Sequence, residues 1–297
     1  MKVRIGIALG GYGDAGRFTA AVDRLEELGV DSLWLQEMVF GTQVEPFIGM
    51  AHALSRTEHL KVGTGVAVLP GRHPVLVAKQ LATLAGLAPR RVLPVFGLQP
   101  ARANERGLFP VPAGRRGAVF DESLELIRLL LRQEVVSFTG QYFTVDGTGI
   151  GPLPGKPIDI WIGGSAPGAL RRAGRLADGW LGSFLTPRES QAAREAIQAA
   201  AADAGREIEP DHFGISLAVA TDGIPDELVA AVRRRRPEAD PAALVATGWS
   251  NARQMIGEYV DAGLSKFVIR PAAASSAPDA MDEFLKCFAG EMLPLQN

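Results

Sequence analysis

The chain has one cysteine, four histidines and aromatic residues at only 7% of its 297 positions. A single thiol, Cys287, excludes an intrachain disulfide framework and fits a reducing cytoplasm. It falls in an apolar-periodic stretch with Met281, Phe284, Leu285 and Phe288, so a buried structural thiol is expected. The histidines (His52, His59, His73, His212) stand at no metal-ligand spacing with carboxylates or Cys287, and no metal is expected. Charge excess is also missing. Lys and Arg number 31 against 33 Asp and Glu, a formal net charge of −2, so no field draws nucleic acid or an anionic membrane. The one basic run, Arg233 to Arg236, is flanked by Asp226, Glu227, Glu238 and Asp240 and reads as a solvated helix end. No apolar stretch is long enough to span a bilayer, and the N-terminal strand-like segment lacks the parts of a secretory signal. The expectation is a cytoplasmic protein acting on a small molecule. Gly248-Trp-Ser250-Asn-Ala252 lacks the final glycine of a nucleophile elbow, which argues against serine hydrolysis.

What is present is alternation. Strand patterns fall at Val3–Leu9, Ser32–Gln36, Lys61–Val68, Val92–Gly97, Ile158–Ile162, Gly179–Phe184, Phe213–Ala220 and Lys266–Arg270. Helical patterns separate most of them, at Phe18–Leu28, Pro46–Leu54, Val75–Leu84, Val119–Leu131, Arg188–Ala204 and Ala252–Ala262. The strands are continuous apolar runs, as strands buried on both faces require. Gly29 and Gly263 sit where helix C′ glycines belong. Eight strands with intervening helices indicate an α/β fold, a (β/α)8 barrel forming one domain over residues 1–297. Insertions are expected after strand 4 (a Pro/Gly/Arg-rich loop at 98–118, a helix, and a hairpin around Thr139-Gly140-Gln141) and after strand 7, at 222–247.

Two glycine-rich turns compete for a phosphate. Gly11-Tyr-Gly13-Asp-Ala-Gly16 matches the dinucleotide pattern G-x-G-x-x-G, with Glu37 at the end of the next strand. A lone match among 34 glycines is weak, and it leaves the later strands without a role. At Gly163-Gly164-Ser165-Ala166-Pro167 an apolar strand runs into an Ala/Leu/Arg-rich helix with proline just inside its start. The freed N–H groups and the positive end of the helix dipole face beyond the strand. Glycines let a phosphate come close to that backbone, so the turn is either an anion cradle or a plain strand-to-helix connection.

In barrel order, three segments resemble the luciferase-like monooxygenase and deazaflavin oxidoreductase superfamily: Leu60 to Leu84, Ile160 through Ala177-Asp-Gly-Trp180, and Glu258 to Arg270. The resemblance implies a barrel that binds flavin, or the deazaflavin coenzyme F420, at the strand C-terminal ends, in a family where homodimers are common. By position, Gly163, Gly164, Ser165 and Ala166 would hold the cofactor phosphate. The third strand would carry a bulge with a non-proline cis peptide at Gly65–Val66 against the ring, with Thr64 and Val66 lining the pocket. Relatives end the second strand with an acid and a histidine; here it ends Glu37-Met38, so Glu37 is either the catalytic carboxylate for proton exchange or a structural partner for a backbone group or an arginine, and Met38 cannot shuttle protons. The fourth strand of relatives carries a glycine string. Here Gly97 persists, Val95 and Gln99 replace glycines, and Pro94 sits where a ladder donor is normally needed. Gln99 would bond the ring edge or crowd the cofactor tail.

The implied activity is an oxidoreductase moving hydride between F420 and a small, rather apolar organic substrate. An FMN-dependent monooxygenase of the same fold is the alternative, and a catalytically inert cofactor-binding relative is the reading of another class. Met38, Phe40, Phe96, Leu98 and Phe109 are the candidate apolar pocket residues, and Arg72, Arg115, Arg116 and Arg270 the candidate partners for anionic groups.

Overall fold

The computed structural model describes residues 2–10, 14–273 and 278–297, and the side chains of 278–280 are outside the description. The inner strands are β1 (Arg4–Ile7), β2 (Ser32–Leu35), β3 (Lys61–Thr64), β4 (Ala67–Val68), β5 (Val92–Leu93) and β6 (Val95–Gly97). A hairpin of β7 (Val136–Thr139) and β8 (Thr144–Thr148) precedes β9 (Trp161–Gly163), β10 (Gly179–Ser183), β11 (Phe213–Ala220), β12 (Val245–Thr247) and β13 (Lys266–Pro271). β3 and β4 are halves of one strand broken at Gly65–Val66, and β5 and β6 halves of one broken at Pro94. Parallel pairing runs β1–β2–β3/β4–β5/β6–β9–β10–β11–β13, and β13 returns to β1. The ring closes as an eight-stranded parallel barrel.

Around it lie α1 (Ala15–Glu27), α2 (Pro46–Arg56), α3 (Pro74–Leu87), α4 (Arg116–Leu130), α5 (Pro167–Leu176), α6 (Pro187–Asp203), α7 (Asp226–Arg235), α8 (Trp249–Asp261) and α9 (Pro278–Met292). Their starts are written in the sequence. Proline opens α2, α3, α5 and α6, and Thr186 with Glu189 forms a capping box on α6. Gly29 and Gly263 leave α1 and α8 at φ +69° and +87°, a region glycine enters without a Cβ clash.

Side chains alternate across each strand. Ile5, Ile7, Leu33, Leu35, Phe267 and Ile269 face the helices in the main core. Ala8, Trp34, Val95, Trp161, Leu181 and Val268 fill the barrel. Trp34 fits because Gly6 and Gly63 face it; a Cβ there would come within 2.6 and 3.1 Å of the indole. Beneath Trp34, the Lys266 ammonium lies 5.7 Å from the ring and pairs with Asp31 at 3.1 Å.

Several expectations need correction. The strand expected at Ile158–Ile162 begins only at Trp161, because Ile160 N–H is taken by the Asp178 carboxylate at 2.9 Å. Cys287 is half-buried, with Sγ 3.6 Å from Glu283 Oε1. The Arg233–Arg236 run is not uniformly solvated: Arg236 reaches Glu189 at 2.5 Å and Glu238 at 2.7 Å. The insertion after strand 7 also contains β12, which pairs with β11. Of the competing glycine motif, Gly11 and Gly13 lie outside the described residues and Gly16 lies in the first turn of α1; the closed ring leaves that motif on a barrel. Among the described residues, no helix is long and apolar enough to cross a membrane and no cluster of three metal-ligating side chains occurs.

Candidate functional site

Several of the expected site residues lie together at the strand C-terminal end of the barrel. The Gly65–Val66 peptide is cis, and Val66 packs with the inner cluster while remaining half-buried. A Cβ on Gly97 would come within 2.6 Å of Val66 Cγ2, and one on Gly163 within 3.1 Å of Val66 Cγ1. Three expected site residues from three strands therefore meet around Val66, with no room for a larger neighbour. Gln99 is exposed just beyond Gly97.

Thr64 does not face that surface. It is fully buried, and its hydroxyl donates to Val95 C=O at 2.6 Å and accepts from Val95 N–H at 2.8 Å. The hydroxyl thus supplies the rung that the bulge in strand 3 and Pro94 in strand 4 remove.

Glu37 is buried beside the same bulge. One carboxylate oxygen accepts from Val68 N–H at 2.6 Å and the other from the Arg72 guanidinium. Burial pushes the Glu37 carboxyl above its usual range, and the Val68 N–H and Arg72 pull against that rise. Arg72 also donates to Val68 C=O at 3.0 Å and lies 5.4 and 5.6 Å from the centroids of Phe47 and Phe109. The pair clamps the second half of the third strand, which is the structural partnership with backbone and arginine that the sequence left open for Glu37.

At the turn after β9, Gly164 has φ +108° and Gly164 through Gly168 are exposed. Ala166 caps α5 without a side-chain bond, and the first turn holds no acidic residue. The N–H groups of Ser165, Ala166 and Gly168 meet no acceptor among the described residues. Gly164 C=O accepts from Trp180 Nε1 at 2.8 Å, which turns the carbonyl inward and leaves the N–H side outward. Asp178, two residues earlier, receives both Arg128 nitrogens at 2.6 and 2.8 Å. Trp180 thus braces the turn from strand 6, while Asp178 holds the opposite end of β9 through Ile160 N–H; neither role was assigned from sequence although the motif was visible. The outcome is an open, positively polarised helix start with backbone donors free for an oxyanion.

The apolar pocket expected from sequence is not assembled. Phe96 is fully buried on the helix-facing side of β6, and Leu98 packs against the same core. Phe109 is buried over Arg72, while Phe40 stands exposed at 56%. Met38 is half-buried. Of the candidate arginines, Arg72 is taken by Glu37 and Arg116 donates to Phe109 C=O at 2.8 Å; Arg115 is exposed. A separate cavity of about 380 Å³ lies between α4, α5 and the hairpin, lined by Arg128, Leu129, Phe138 and Leu176. It shares no residue with the strand-end site.

The closed ring of parallel strands, with its strand-end glycines, interrupted third strand and open α5 start, defines a TIM-type α/β barrel. The chain belongs to the luciferase-like monooxygenase family, whose model matches residues 1–283. An uncharacterized protein of Mycobacterium tuberculosis is 38% identical over 146 residues, 49% of this chain and 50% of that protein. The F420-dependent glucose-6-phosphate dehydrogenase of Beutenbergia cavernae is 29% identical over 284 residues, 84% of this chain and 81% of the relative. The match spans about half the length of several other curated relatives. Among solved structures, an F420-dependent secondary alcohol dehydrogenase in complex with an F420–acetone adduct superposes with a TM-score of 0.82 at 18% identity, covering 100% of both chains. The oxygenating constituent of 3,6-diketocamphane monooxygenase from Pseudomonas putida, in complex with FMN, gives 0.79 at 17% identity, covering 100% of this chain and 99% of that one.

Proposed function

We propose that this chain is an oxidoreductase that binds coenzyme F420 at the strand C-terminal end and moves hydride between it and a small organic substrate. The observation that carries the reading is the junction of two surfaces: the Gly65–Val66 platform bounded by Gly97 and Gly163, and the outward backbone donors of Ser165, Ala166 and Gly168 next to it. These residues fit a flat ring joined to a phosphate. Side chains at Gly97 or Gly163 would collide with Val66, and a side chain at Gly164 would be strained and would approach Ala169 Cβ at 3.0 Å. When bound, F420 supplies a ring carbon that gives or takes hydride.

The chain's own residues position that group. Gly163 to Ala166 hold the phosphate through backbone donors and the α5 dipole. Val66, Gly65 and Gly97 present the face, and Gln99 offers an amide at its rim. Thr64 holds the two broken strands in register behind the face. We assign Glu37 a positioning role, since both of its carboxylate oxygens already hold Val68 and Arg72. Met38 in place of a histidine keeps an imidazole out of proton exchange at that strand end.

An FMN-dependent monooxygenase is the second reading, because the same platform and cradle suit a flavin ring and phosphate, and an FMN-bound structure shares the fold. The discriminating experiment is a fluorescence titration of the purified protein with oxidised F420 and, separately, FMN, followed by turnover on alcohol, aldehyde and ketone panels. Tight F420 binding with turnover supports the first reading. FMN binding supports the second, and cofactor binding without turnover on any panel supports an inert binder.

A further inference from the structure

On β13 the residues Lys266, Val268 and Arg270 share the inward side: Lys266 lies over Trp34 and Val268 packs in the inner cluster. Arg270 is the next inward position, at the C-terminal end of the strand, where ligands of such barrels bind. Phe184 follows β10 directly, with φ +55°, and Arg236 fixes it by donating to its carbonyl at 2.9 Å. The Arg270 guanidinium lies 5.4 Å from the Phe184 ring centroid, and that of Arg235 lies 4.9 Å from the same centroid. Glu189 and Glu238, the carboxylates of this corner, are both spent on Arg236. Neither Arg235 nor Arg270 has an ion pair or side-chain hydrogen bond among the described residues.

Two guanidinium groups thus share one aromatic ring with no carboxylate paired to either among the described residues. Burial and the neighbouring Arg235 push the Arg270 guanidinium down to about 10, which leaves it protonated at neutral pH. Stacking on the ring offsets part of the mutual repulsion and leaves the nitrogen edges without a protein partner among the described residues. Those edges match the oxygens of a carboxylate or phosphate, for which a guanidinium offers two parallel donors. Ser183, exposed one residue before Phe184, adds a hydroxyl at the same rim.

We propose that Arg270 and Arg235, mounted on Phe184, form an oxyanion subsite that grips a carboxylate or phosphate of the substrate. Calling the ligand the substrate rests on the oxidoreductase reading; the anion site itself does not. It replaces the rather apolar substrate expected from sequence with an anionic one.

The test uses inorganic phosphate as probe and Gly164→Asp to close the cradle after β9, so that only the arginine pair remains. Phosphate binding, followed by 31P line broadening, is expected to persist in Gly164→Asp. It should weaken about tenfold or more when Arg270→Gln is added, the loss of one charge-assisted contact pair. Arg235→Gln, at an exposed position, should weaken it by a smaller factor, and Arg270→Lys should restore part of it. If Gly164→Asp does not fold, the wild-type chain should show two phosphate sites, of which Arg270→Gln removes one. Unchanged phosphate binding in Arg270→Gln overturns the subsite. A second arm titrates F420 into Arg270→Gln: unchanged affinity supports a substrate site, and tenfold weaker binding overturns that assignment in favour of the cofactor. Failure of F420 to bind the wild-type chain would count against the proposed function while leaving the phosphate arm readable.

Discussion

Replacing Gly164 by aspartate and by asparagine separates the cradle's electrostatics from its shape. Both side chains meet the same φ of +108° and the same approach to Ala169, so strain of about 1–2 kcal/mol falls on each. They differ by one negative charge at the start of α5, a helix whose first turn has no acidic residue. For folding, that charge is favourable: an anion at a helix N-terminus contributes about 0.3–1 kcal/mol. For a bound phosphate the sign reverses. Two unit charges about 4 Å apart repel by about 1 kcal/mol in water and about 4 kcal/mol at surface-like screening. Since Gly164 through Gly168 are exposed, we expect a value near the middle, about 2 kcal/mol, or roughly thirtyfold in affinity. The assay pairs thermal denaturation with cofactor titration for the two variants. Aspartate should be at least as stable as asparagine and bind cofactor far more weakly. Equal affinities for the two variants would refute an anion site at this turn.

Other perturbations test the surroundings of the site. Thr64→Val keeps the shape but leaves the buried Val95 N–H and C=O without the hydroxyl, and should cost about 2–4 kcal/mol in a urea titration. Glu37→Gln strips Arg72 of its partner and should lower stability by about 1–3 kcal/mol while also weakening cofactor binding, through a displaced Val68. Stability unchanged in that variant would remove the clamp from the account. Arg236 pulls the Glu189 carboxyl down from 4.5 to about 2, so the folded state is favoured by that pair above pH 4.5 and loses the advantage as the pH falls toward 2. Glu189→Gln should flatten that part of the acid denaturation curve, measured as Tm between pH 2 and 5.

The ring of strands was legible because parallel strands buried on both faces leave unbroken apolar runs. Phe213–Ala220 appears in the structure with the bounds read from sequence. From sequence, strand 5 reads as starting too early because Ile158 and Ile160 continue the apolar run, while the Asp178 carboxylate that occupies Ile160 N–H lies 18 residues away. β12 has only three residues and no periodicity to reveal it. At the site, the glycine turn was readable since glycine and proline act locally on the backbone. Strand parity was harder: Phe96 and Val95 are neighbours, and only the closed barrel shows that Val95 points in and Phe96 out. Pairings across the chain were not readable at all. Arg72 meets Glu37 from 35 residues away, and Arg235 meets Phe184 through an insertion whose path no local pattern fixes.

The affinity of the wild-type chain for F420 and for FMN, with Gly164→Asp beside it, decides which cofactor the barrel takes. Tight F420 binding is expected, weakened roughly thirtyfold or more by the substitution. Binding of neither cofactor, or F420 affinity unchanged in Gly164→Asp, would contradict it.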